Sequence, residues 1–306
     1  MRQRIHGINF SLMAERKGVN VPKVSASRPA PRKPKLGQHY LVDRSAGLRI
    51  VDALGDISSG TVLEIGPGRG ALTTTLAPRA RHLIAIEFDR VLAAQLRMNF
   101  ALRPNVEIIE GDILAIDFNT LFGPKPGSMR PGMEFVPEQV KVVGNLPYYI
   151  TSDILLRLFE YHQFFQTIVL MVQKEVADRM AAAPGRSEYG LLSATTQLYA
   201  KVEKLFTLPP GAFAPPPKVH STVLRLTIAP RFEKLRVGEG GFIQFLKTSF
   251  GQKRKTLWNN LKLVYPAEQL RVALDKAKVE ASTRAETLSL EKSAALFRAL
   301  SPTGVS

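Results

Sequence analysis

The stretch VLEIGPGRGALT, residues 62–73, decides the fold. It begins as an apolar strand interrupted by Glu64, turns through glycines spaced G-x-G-x-G, and resumes an apolar helical pattern at Ala71. Glycines let a backbone approach a ligand closely, and the N-terminus of a helix favours negative charge. We therefore expect a strand–turn–helix unit that holds a ligand at its turn.

A glycine-rich turn by itself fits a dinucleotide, S-adenosylmethionine or tight packing alone. The G-x-G-x-x-G dinucleotide fingerprint would place its third glycine at Ala71, and Glu64 suits a cationic ligand better than a pyrophosphate. The next strand ends in Glu87, about 20 residues beyond the first glycine, where an acid can hold two ribose hydroxyls. Asp112 follows the third strand, where an acid can accept from an adenine amino group. Together these residues favour S-adenosylmethionine over a nicotinamide cofactor, for which the sequence shows no hydride-transfer acid–base set.

Outward from this unit, strand and helix patterns alternate. Strand-like runs are Thr61–Ile65, His82–Ile86, Val106–Glu110, Val140–Val143, Thr167–Val172 and Ser221–Ile228. Helical runs begin at Ala71 and at Thr151 or Ser152, and cover Val91–Phe100, Lys174–Ala183 and Leu191–Tyr199. This alternation predicts an α/β fold with a doubly wound, mostly parallel, Rossmann-like sheet.

Composition shifts divide the chain into three parts. Residues 1–33 are basic and contain helix-breaking prolines, which predicts a disordered arm, either RNA-contacting or an extension without function. Residues 34–230 carry the alternating pattern, with a surface loop expected at Gly123–Glu138. Residues 231–306 show amphipathic helices without strands, which predicts a small helical domain.

The charge and the absence of cysteine narrow the function. The chain of 306 residues has 42 basic and 26 acidic residues, a net charge of +16, which indicates a polyanionic partner, nucleic acid first, or else a solubilising surface. With no cysteine, disulfides, cysteine-bound zinc, thiolate nucleophiles and the cysteine-dependent C5-methylation of pyrimidines are excluded. No run approaches the ~20 apolar residues of a membrane span, and no apolar signal core is present, so we expect a cytoplasmic protein.

A second motif, Asn145-Leu146-Pro147-Tyr148, follows the strand at Val140–Val143. The Asn145 side-chain carbonyl and a backbone carbonyl beside the rigid proline can both accept from one NH2 group. The Tyr148 ring can stack on the base that carries that group. The motif suits a reaction on the exocyclic amino group of a heterocycle, although alone it also fits an ordinary turn at a strand end.

The motifs together resemble the rRNA adenine N6-dimethyltransferase family, and within it the small-subunit (16S) type. The resemblance runs from about Lys35 to Leu226 and continues less sharply to the C-terminus. It is carried by seven stretches in order: LGQHYL at 36–41, VLEIGPGRGALT at 62–73, IEFD at 86–89, GDIL at 111–114, NLPYYI at 145–150, MVQKEV at 171–176 and FAPPPKV at 213–219.

The resemblance implies a class I methyltransferase fold and a reaction. The cofactor would be S-adenosylmethionine, and the product would be N6,N6-dimethyladenosine at two adjacent adenosines in a 3′-terminal hairpin loop of 16S rRNA. The implied partner is small-subunit rRNA or the assembling 30S subunit, met during ribosome biogenesis. From the residues we expect direct transfer, without a metal or a covalent enzyme intermediate, and, since nothing in the sequence demands a dimer, a monomer.

The resemblance also assigns site residues. Catalysis would fall to Asn145, Leu146, Pro147 and Tyr148, and cofactor binding to Gln38, His39, Leu41, Glu64, Gly66, Gly68, Glu87, Asp112 and Asn145. Tyr148 and Phe213 would stack on the flipped adenine from its two sides, although Phe213 also fits a core position beside the prolines at 215–217. Lys218, Lys253, Arg254 and Lys255 would contact RNA, with Arg225 as an extension, although the basic run at 253–255 also fits a solvated helix face. The chain departs from the family at His39, Tyr40 and Tyr149, where Asn, Phe and Asn are usual.

Three alternatives remain open from the sequence. An Erm-type enzyme acting on large-subunit rRNA shares most motifs but tends to have Gly-Ser-Gly and Asn-Ile-Pro-Tyr in place of residues 66–68 and 145–148. A DNA adenine methyltransferase would need a target-recognition domain, for which no region is long enough. A non-catalytic ribosome-assembly factor could use the same fold, but the intact site residues favour an enzyme.

Overall fold

The computed structural model describes residues 39–124 and 137–300. The predicted arm at 1–33, the cofactor candidate Gln38 and most of the predicted loop Gly123–Glu138 lie outside the described residues. No helix within the described ranges is long and apolar enough to cross a membrane.

The described chain alternates strands and helices up to Ile228 and is helical thereafter. The strands are β1 (Tyr40–Leu41), β2 (Thr61–Ile65), β3 (His82–Glu87), β4 (Val106–Glu110), β5 (Val140–Asn145), β6 (Phe165–Gln173), β7 (Ala200–Leu208), β8 (Phe213–Ala214) and β9 (Ser221–Ile228). The helices before β9 are α1 (Arg44–Asp52), α2 (Thr73–Leu76), α3 (Arg90–Asn99), α4 (Phe118–Phe122), α5 (Thr151–Glu160), α6 (Lys174–Ala181) and α7 (Leu191–Tyr199). After β9 come α8 (Phe232–Leu235), α9 (Glu239–Ser249), α10 (Leu257–Leu261), α11 (Ala267–Ala277) and α12 (Leu290–Leu300).

Seven strands form one sheet in the order β4-β3-β2-β5-β6-β9-β7. The five strands from β4 to β6 run parallel to one another, and β9 pairs antiparallel with both β6 and β7. Strand β2 is buried on both faces, because Leu63 and Ile65 pack into one apolar cluster and Val62 into another. A strand covered on both sides is typical of a doubly wound parallel sheet, so the predicted fold class is confirmed.

The sequence pattern missed one long strand, β7. Its sequence AKVEKLFTL places Lys201, Glu203 and Lys204 in a strand that pairs with β9 on one side, at the edge of the sheet. Charged residues suit an exposed edge, where they discourage pairing with other chains, but they also dilute the apolar alternation that predicts strands. The helix expected from Ala71 begins at Thr73 instead, because residues 71–72 still belong to the turn; α2 has four residues.

The C-terminal helices enclose a separate apolar cluster. Phe242, Leu246, Leu270 and Leu296 belong to it, which agrees with the helical character expected beyond Pro230. Tyr189 and Leu198 belong to the same cluster although they precede β9 in sequence. The division of the chain at residue 230 therefore stays a prediction.

Gly144, the penultimate residue of β5, lies where the backbones of β5 and β2 come unusually close. A Cβ atom added at Gly144 would lie 2.9 Å from the Ile65 carbonyl oxygen and 3.0 Å from Leu146 Cδ2. The Ile65 oxygen belongs to the backbone and cannot rotate away. Only glycine therefore fits at position 144 without moving the two strands apart.

We expect Gly144→Ala to lower the free energy of unfolding by about 1–3 kcal/mol, because the methyl group forces β5 away from β2. Gly60→Ala is the matched control, since no atom lies within 4 Å of the Cβ it would add. Urea unfolding of both variants measures the difference. Equal stability of Gly144→Ala and the wild type would show that the strands are not held this closely.

Candidate active site

The sheet brings the predicted site residues to one edge. Asp112 follows β4, Glu87 ends β3, Gly66 follows β2 and Asn145 ends β5. These four strands are adjacent and parallel, so their carboxyl ends lie side by side in that order. Neighbouring strands are about 4.8 Å apart, so the row formed by these four strand ends spans roughly 14 Å. The carboxyl edge of an open α/β sheet is where such folds bind ligands.

The turn after β2 leaves an open space beside its first glycine. Gly66 and Gly68 have φ angles of +65° and +58°, in the left-handed region that favours glycine. A Cβ at Gly66 would meet no atom within 4 Å, whereas one at Gly68 would lie 3.0 Å from the Tyr40 ring. Tyr40 therefore covers Gly68, and the side of Gly66 stays accessible to a ligand.

Glu87 ties this turn to the end of β3. Its Oε2 accepts a hydrogen bond from the Gly68 N–H and its Oε1 one from the Asp89 N–H, each at 2.9 Å. Each carboxylate oxygen can accept a second bond, so Glu87 can also receive ribose hydroxyls. On the next strand Asp112 is exposed, and its Oδ1 accepts from the Leu114 N–H at 2.9 Å. The second oxygen of Asp112 is thus available to a ligand at the end of the row.

Glu64, behind the turn, is buried and incompletely hydrogen-bonded. The residue is 1% exposed, and neither its Oε2 nor the Thr73 hydroxyl has a hydrogen-bond partner within the described residues. Burial raises the pKa of Glu64 to about 8; the nearby Thr73 opposes the rise, and the charge of Glu87 adds to it. A buried carboxyl without a partner stays neutral or is matched by a cation. A cofactor with an ammonium and a sulfonium group meets that requirement.

Asn145 is oriented by a hydrogen bond to the chain segment before β1. Its Nδ2 donates to the His39 carbonyl at 2.9 Å. A carbonyl oxygen only accepts, so the amide nitrogen of Asn145 must face His39. The Oδ1 atom is therefore the one left to accept from a substrate.

A second acceptor follows Asn145 directly. The Pro147 carbonyl accepts from the Thr151 hydroxyl at 3.1 Å and from the Ile150 N–H at 3.2 Å. The Leu146 carbonyl accepts from no donor in the part of the chain that the structure describes. The motif thus presents two oxygens in succession, one from a side chain and one from the backbone.

Tyr148 is held by Ser221, a residue outside the predicted site. Its hydroxyl lies 2.8 Å from the hydroxyl of Ser221, which is fully buried at the start of β9. The imidazole of His39 lies beside Tyr148, with ring centroids 5.9 Å apart and planes inclined by 31°. The sequence offered no signal for the Ser221 contact, because 73 residues separate the two side chains.

His39 itself is held from the other side of the site. Its Nδ1 donates to the Pro215 carbonyl at 2.7 Å, and β1 pairs with β8 so that Leu41 opposes Phe213. In the family that the sequence resembles, Asn is usual at this position; here an imidazole ring bridges residue 215 and Tyr148. Of the predicted cofactor residues in this segment, Leu41 is buried and His39 is partly exposed.

The expected second stacking ring is not exposed in this structure. Phe213 is 3% exposed and packs in the apolar cluster that also contains Leu41. Its pairing with Leu41 in the β1–β8 ladder turns the ring into the core, so Phe213 presents no face to a base here. A stacking role for Phe213 stays a prediction that requires the ring to leave this cluster.

The predicted RNA-contacting residues lie on the surface. Lys218, Lys253, Arg254 and Lys255 are exposed, and the last three precede α10 in a turn rather than opening its helix. Lys253 Nζ donates to the Ser187 carbonyl at 3.0 Å. Arg225 pairs with Glu203 at 3.0 Å on the neighbouring strand, so its charge is already matched. Within residues 39–124 and 137–300, no group of three or more His, Asp or Glu side chains could hold a metal ion.

Comparison with known proteins identifies relatives over most of the chain. The family model described as ribosomal RNA adenine dimethylase matches residues 31–301. The ribosomal RNA small subunit methyltransferase A of Koribacter versatilis is 57% identical over 283 residues, covering 92% of this chain and 99% of that protein. The protein of the same name from Geobacter metallireducens is 43% identical over 275 residues, covering 88% and 95%.

Two solved structures share the fold of this chain over most of its length. A dimethyladenosine transferase from Plasmodium falciparum superimposes with a TM-score of 0.70 and 26% identity, covering 84% of this chain and 96% of that one. The 23S rRNA methyltransferase ErmE superimposes with a TM-score of 0.63 and 27% identity, covering 86% and 99%.

The buried carboxyl of Glu64 makes a prediction about pH. Its pKa is raised in the folded protein, so its contribution to stability is full below about pH 4.5 and is lost as the pH rises to about 8. We expect the free energy of unfolding of the wild type to fall over that window, relative to Glu64→Gln, by a few kcal/mol. Urea unfolding at a series of pH values measures the difference.

Cofactor affinity provides the matched test. If the bound cation favours ionised Glu64, the dissociation constant of S-adenosylmethionine falls as the pH rises from about 5.5 to 7, where the ammonium group stays protonated. Calorimetric titration should show this fall of the dissociation constant with pH for the wild type and a pH-independent dissociation constant for Glu64→Gln. A pH-independent affinity in the wild type would contradict the pairing of Glu64 with the cofactor.

Proposed function

Because the chain belongs to the ribosomal RNA adenine dimethylase family, we propose that it dimethylates two adjacent adenosines in a 3′-terminal hairpin loop of small-subunit rRNA. The protein is an S-adenosylmethionine-dependent rRNA methyltransferase. The observation that carries the proposal is the orientation of Asn145 at the end of β5, beside the glycine turn after β2. Its Oδ1 accepts no hydrogen bond from the residues that the structure describes.

The order of the strand ends supports a direction for the cofactor. Asp112 would hold the adenine, Glu87 the ribose, and the open side of Gly66 with Glu64 the amino-acid end. When bound, S-adenosylmethionine supplies an electrophilic methyl group carried on a sulfonium. The amino-acid end then lies nearest β5, which is the strand that ends in Asn145.

Asn145 and Leu146 would orient the target amino group. The amino nitrogen of adenine is a poor nucleophile while its lone pair is conjugated with the ring. Two acceptors, Oδ1 of Asn145 and the Leu146 carbonyl, would take both hydrogens and favour a geometry in which the lone pair is free. These oxygens also stabilise the positive charge that develops on the nitrogen, so a strong base is not needed before transfer.

Tyr148 would supply the stacking surface for the flipped adenine. Its ring is partly buried and held at its hydroxyl by Ser221, so the ring face stays in one orientation. For the second methylation the amino group has one hydrogen left, and one of the two acceptors is sufficient. Loop bases cost less to unstack than bases in a duplex, which suits a hairpin target.

The small-subunit assignment rests on the relatives. Those at 57% and 43% identity carry the name small subunit methyltransferase A, whereas ErmE, named for 23S rRNA, is 27% identical. We further propose that the protein acts as a cytoplasmic monomer on the assembling 30S subunit. Lys218 and the run Lys253-Arg254-Lys255 would contact the rRNA.

The direct test is methyl transfer from labelled S-adenosylmethionine to small subunits that lack the modification, with large subunits as a parallel substrate. Nucleoside mass spectrometry should find N6,N6-dimethyladenosine in small-subunit rRNA alone. Product in large-subunit rRNA would assign the protein to the Erm type. Cofactor binding without any product would indicate an assembly factor.

Substitutions at Asn145 test the orientation argument. Asn145→Ala removes the acceptor, and Asn145→Asp keeps two oxygens but places a carboxylate against the His39 carbonyl. We expect both variants to lose at least about 100-fold in kcat, the loss typical of a missing charge-stabilising group. Asn119→Ala, on the exposed surface of α4, is the control and should keep full activity. Full activity in Asn145→Asp would show that the His39 bond does not orient the amide.

The Tyr148–Ser221 contact predicts a non-additive pair. Tyr148→Phe and Ser221→Ala each remove the same hydrogen bond while the aromatic ring remains. Each should lower kcat/KM for RNA, and the double variant should lose little more than either single variant. Steady-state kinetics of the two single variants and the double variant form a double-mutant cycle that measures this coupling. Thermal unfolding checks that each variant is folded. Additive losses would mean that Ser221 does not act through Tyr148.

A further inference from the structure

Two surface cavities of the protein share lining residues and are therefore adjacent. The larger, of about 710 Å³, is lined by residues that include Lys174, Lys204, Lys218 and His220. The smaller, of about 540 Å³, includes Lys253 and Lys255. Both cavities contain Glu175 and Glu188, so they meet at those residues. We call the combined feature the basic groove.

One end of the basic groove adjoins the candidate active site. His220 lines the groove, and the next residue is Ser221, whose hydroxyl holds Tyr148. The Lys174 N–H donates to the His220 carbonyl at 3.0 Å, which fixes this end to the start of α6. The groove therefore reaches the residue next in the chain to the side chain that holds Tyr148.

The acids in the groove are mostly neutralised by their own neighbours. Asp178 lies between Lys174 Nζ at 2.6 Å and Lys204 Nζ at 2.9 Å, and these bonds hold the pKa of Asp178 below its usual value. Glu175 is paired with Arg179. Because two lysines share Asp178, this wall keeps an excess of positive charge.

Two further cations of the groove are free for a ligand. Arg186 and Lys218 are exposed, and neither has an ion-pair partner among the described residues, although the charge of Arg186 acts on the nearby Glu188. Charge complementarity at such a surface favours a polyanion.

The loop that carries Arg186 is anchored on both sides. The Gly185 N–H donates to the Glu286 carbonyl at 2.8 Å, and the Ser187 carbonyl accepts from Lys253 Nζ at 3.0 Å. Tyr189 is buried in the cluster of the C-terminal helices. The backbone at Arg186 is therefore held on both sides, by Glu286 and by Lys253 of the basic run.

The geometry points to the basic groove as the track for the single-stranded RNA that is continuous with the target adenosine. Lys218, Arg186 and the run at 253–255 contact successive backbone phosphates, and Lys174 with Lys204 forms the wall. This inference rests on the proposed function and deepens it, since it adds Lys174, Arg186 and Lys204 to the residues that hold the substrate. It also joins Lys218 and the C-terminal basic run into one binding surface.

Charge-neutralising variants at the two free cations test the track. Arg186→Gln and Lys218→Gln should each weaken binding of a hairpin RNA with two adjacent adenosines in its loop by roughly 3- to 10-fold near 100 mM salt, because each removes one phosphate contact. Each should also lower the slope of log affinity against log salt by roughly 0.7, the value for one lost single-strand phosphate contact. Fluorescence anisotropy over a salt series measures both quantities. Lys201→Gln is the matched control, because Lys201 lies on β7 outside both cavities and its ammonium group is 3.9 Å from Glu203.

Steady-state kinetics distinguish the loss of an RNA contact from a loss of folding. Both variants should raise KM for RNA and leave kcat, the affinity for S-adenosylmethionine and the thermal unfolding temperature unchanged, because they remove uniform substrate binding. Binding and salt slopes equal to those of Lys201→Gln, in an enzyme that still forms dimethyladenosine, would overturn the track and leave the proposed function intact. A wild-type protein that binds the RNA but forms no product, with the variants still weakened, would overturn the function and leave the track. Failure of the wild type to bind RNA would overturn both.

Discussion

The hydrogen bond from Asn145 to the His39 carbonyl is the constraint on which the site depends. It joins residues 106 positions apart and determines which atom of the amide faces the substrate. The bond in turn requires β1 to stay in place, which the pairing with β8 and the contact from His39 to the Pro215 carbonyl provide. Segments from three parts of the chain thus converge to present one acceptor oxygen.

The parallel sheet supplies the other half of the arrangement. Because β4, β3, β2 and β5 are adjacent and run in the same direction, their ends form a row of groups with different chemistry. Acidic groups occupy the end of the row away from Asn145. The buried Glu64, whose Oε2 has no hydrogen-bond partner among the described residues, lies on β2 behind the glycine turn. Gly144 lets β5 come close enough to β2 for Asn145 to stand next to the glycine turn. The same sheet order therefore places both the cofactor and the acceptor oxygens.

Local patterns were enough to predict the central part of this structure from the sequence. The apolar runs at β2, β3 and β4 and the glycine turn have periodicity and spacing that depend on residues close together in the chain. Strand β7 was missed because its lysines and glutamate suit an exposed edge and hide the alternation. The contacts of Ser221 with Tyr148 and of His39 with Asn145 join distant segments, so no local pattern could reveal them. Phe213 illustrates the same limit, because its burial follows from pairing with Leu41 rather than from the prolines beside it.

A crystal structure of the protein with S-adenosylhomocysteine tests the central claim most directly. The account predicts the ligand adenine at Asp112, its ribose hydroxyls on Glu87, its amino-acid end beside Gly66 and Glu64, and its sulfur toward Oδ1 of Asn145, with the amide nitrogen still on the His39 carbonyl. A ligand that runs in the opposite direction along the strand ends, or an Asn145 amide turned with its nitrogen toward the sulfur, would contradict it.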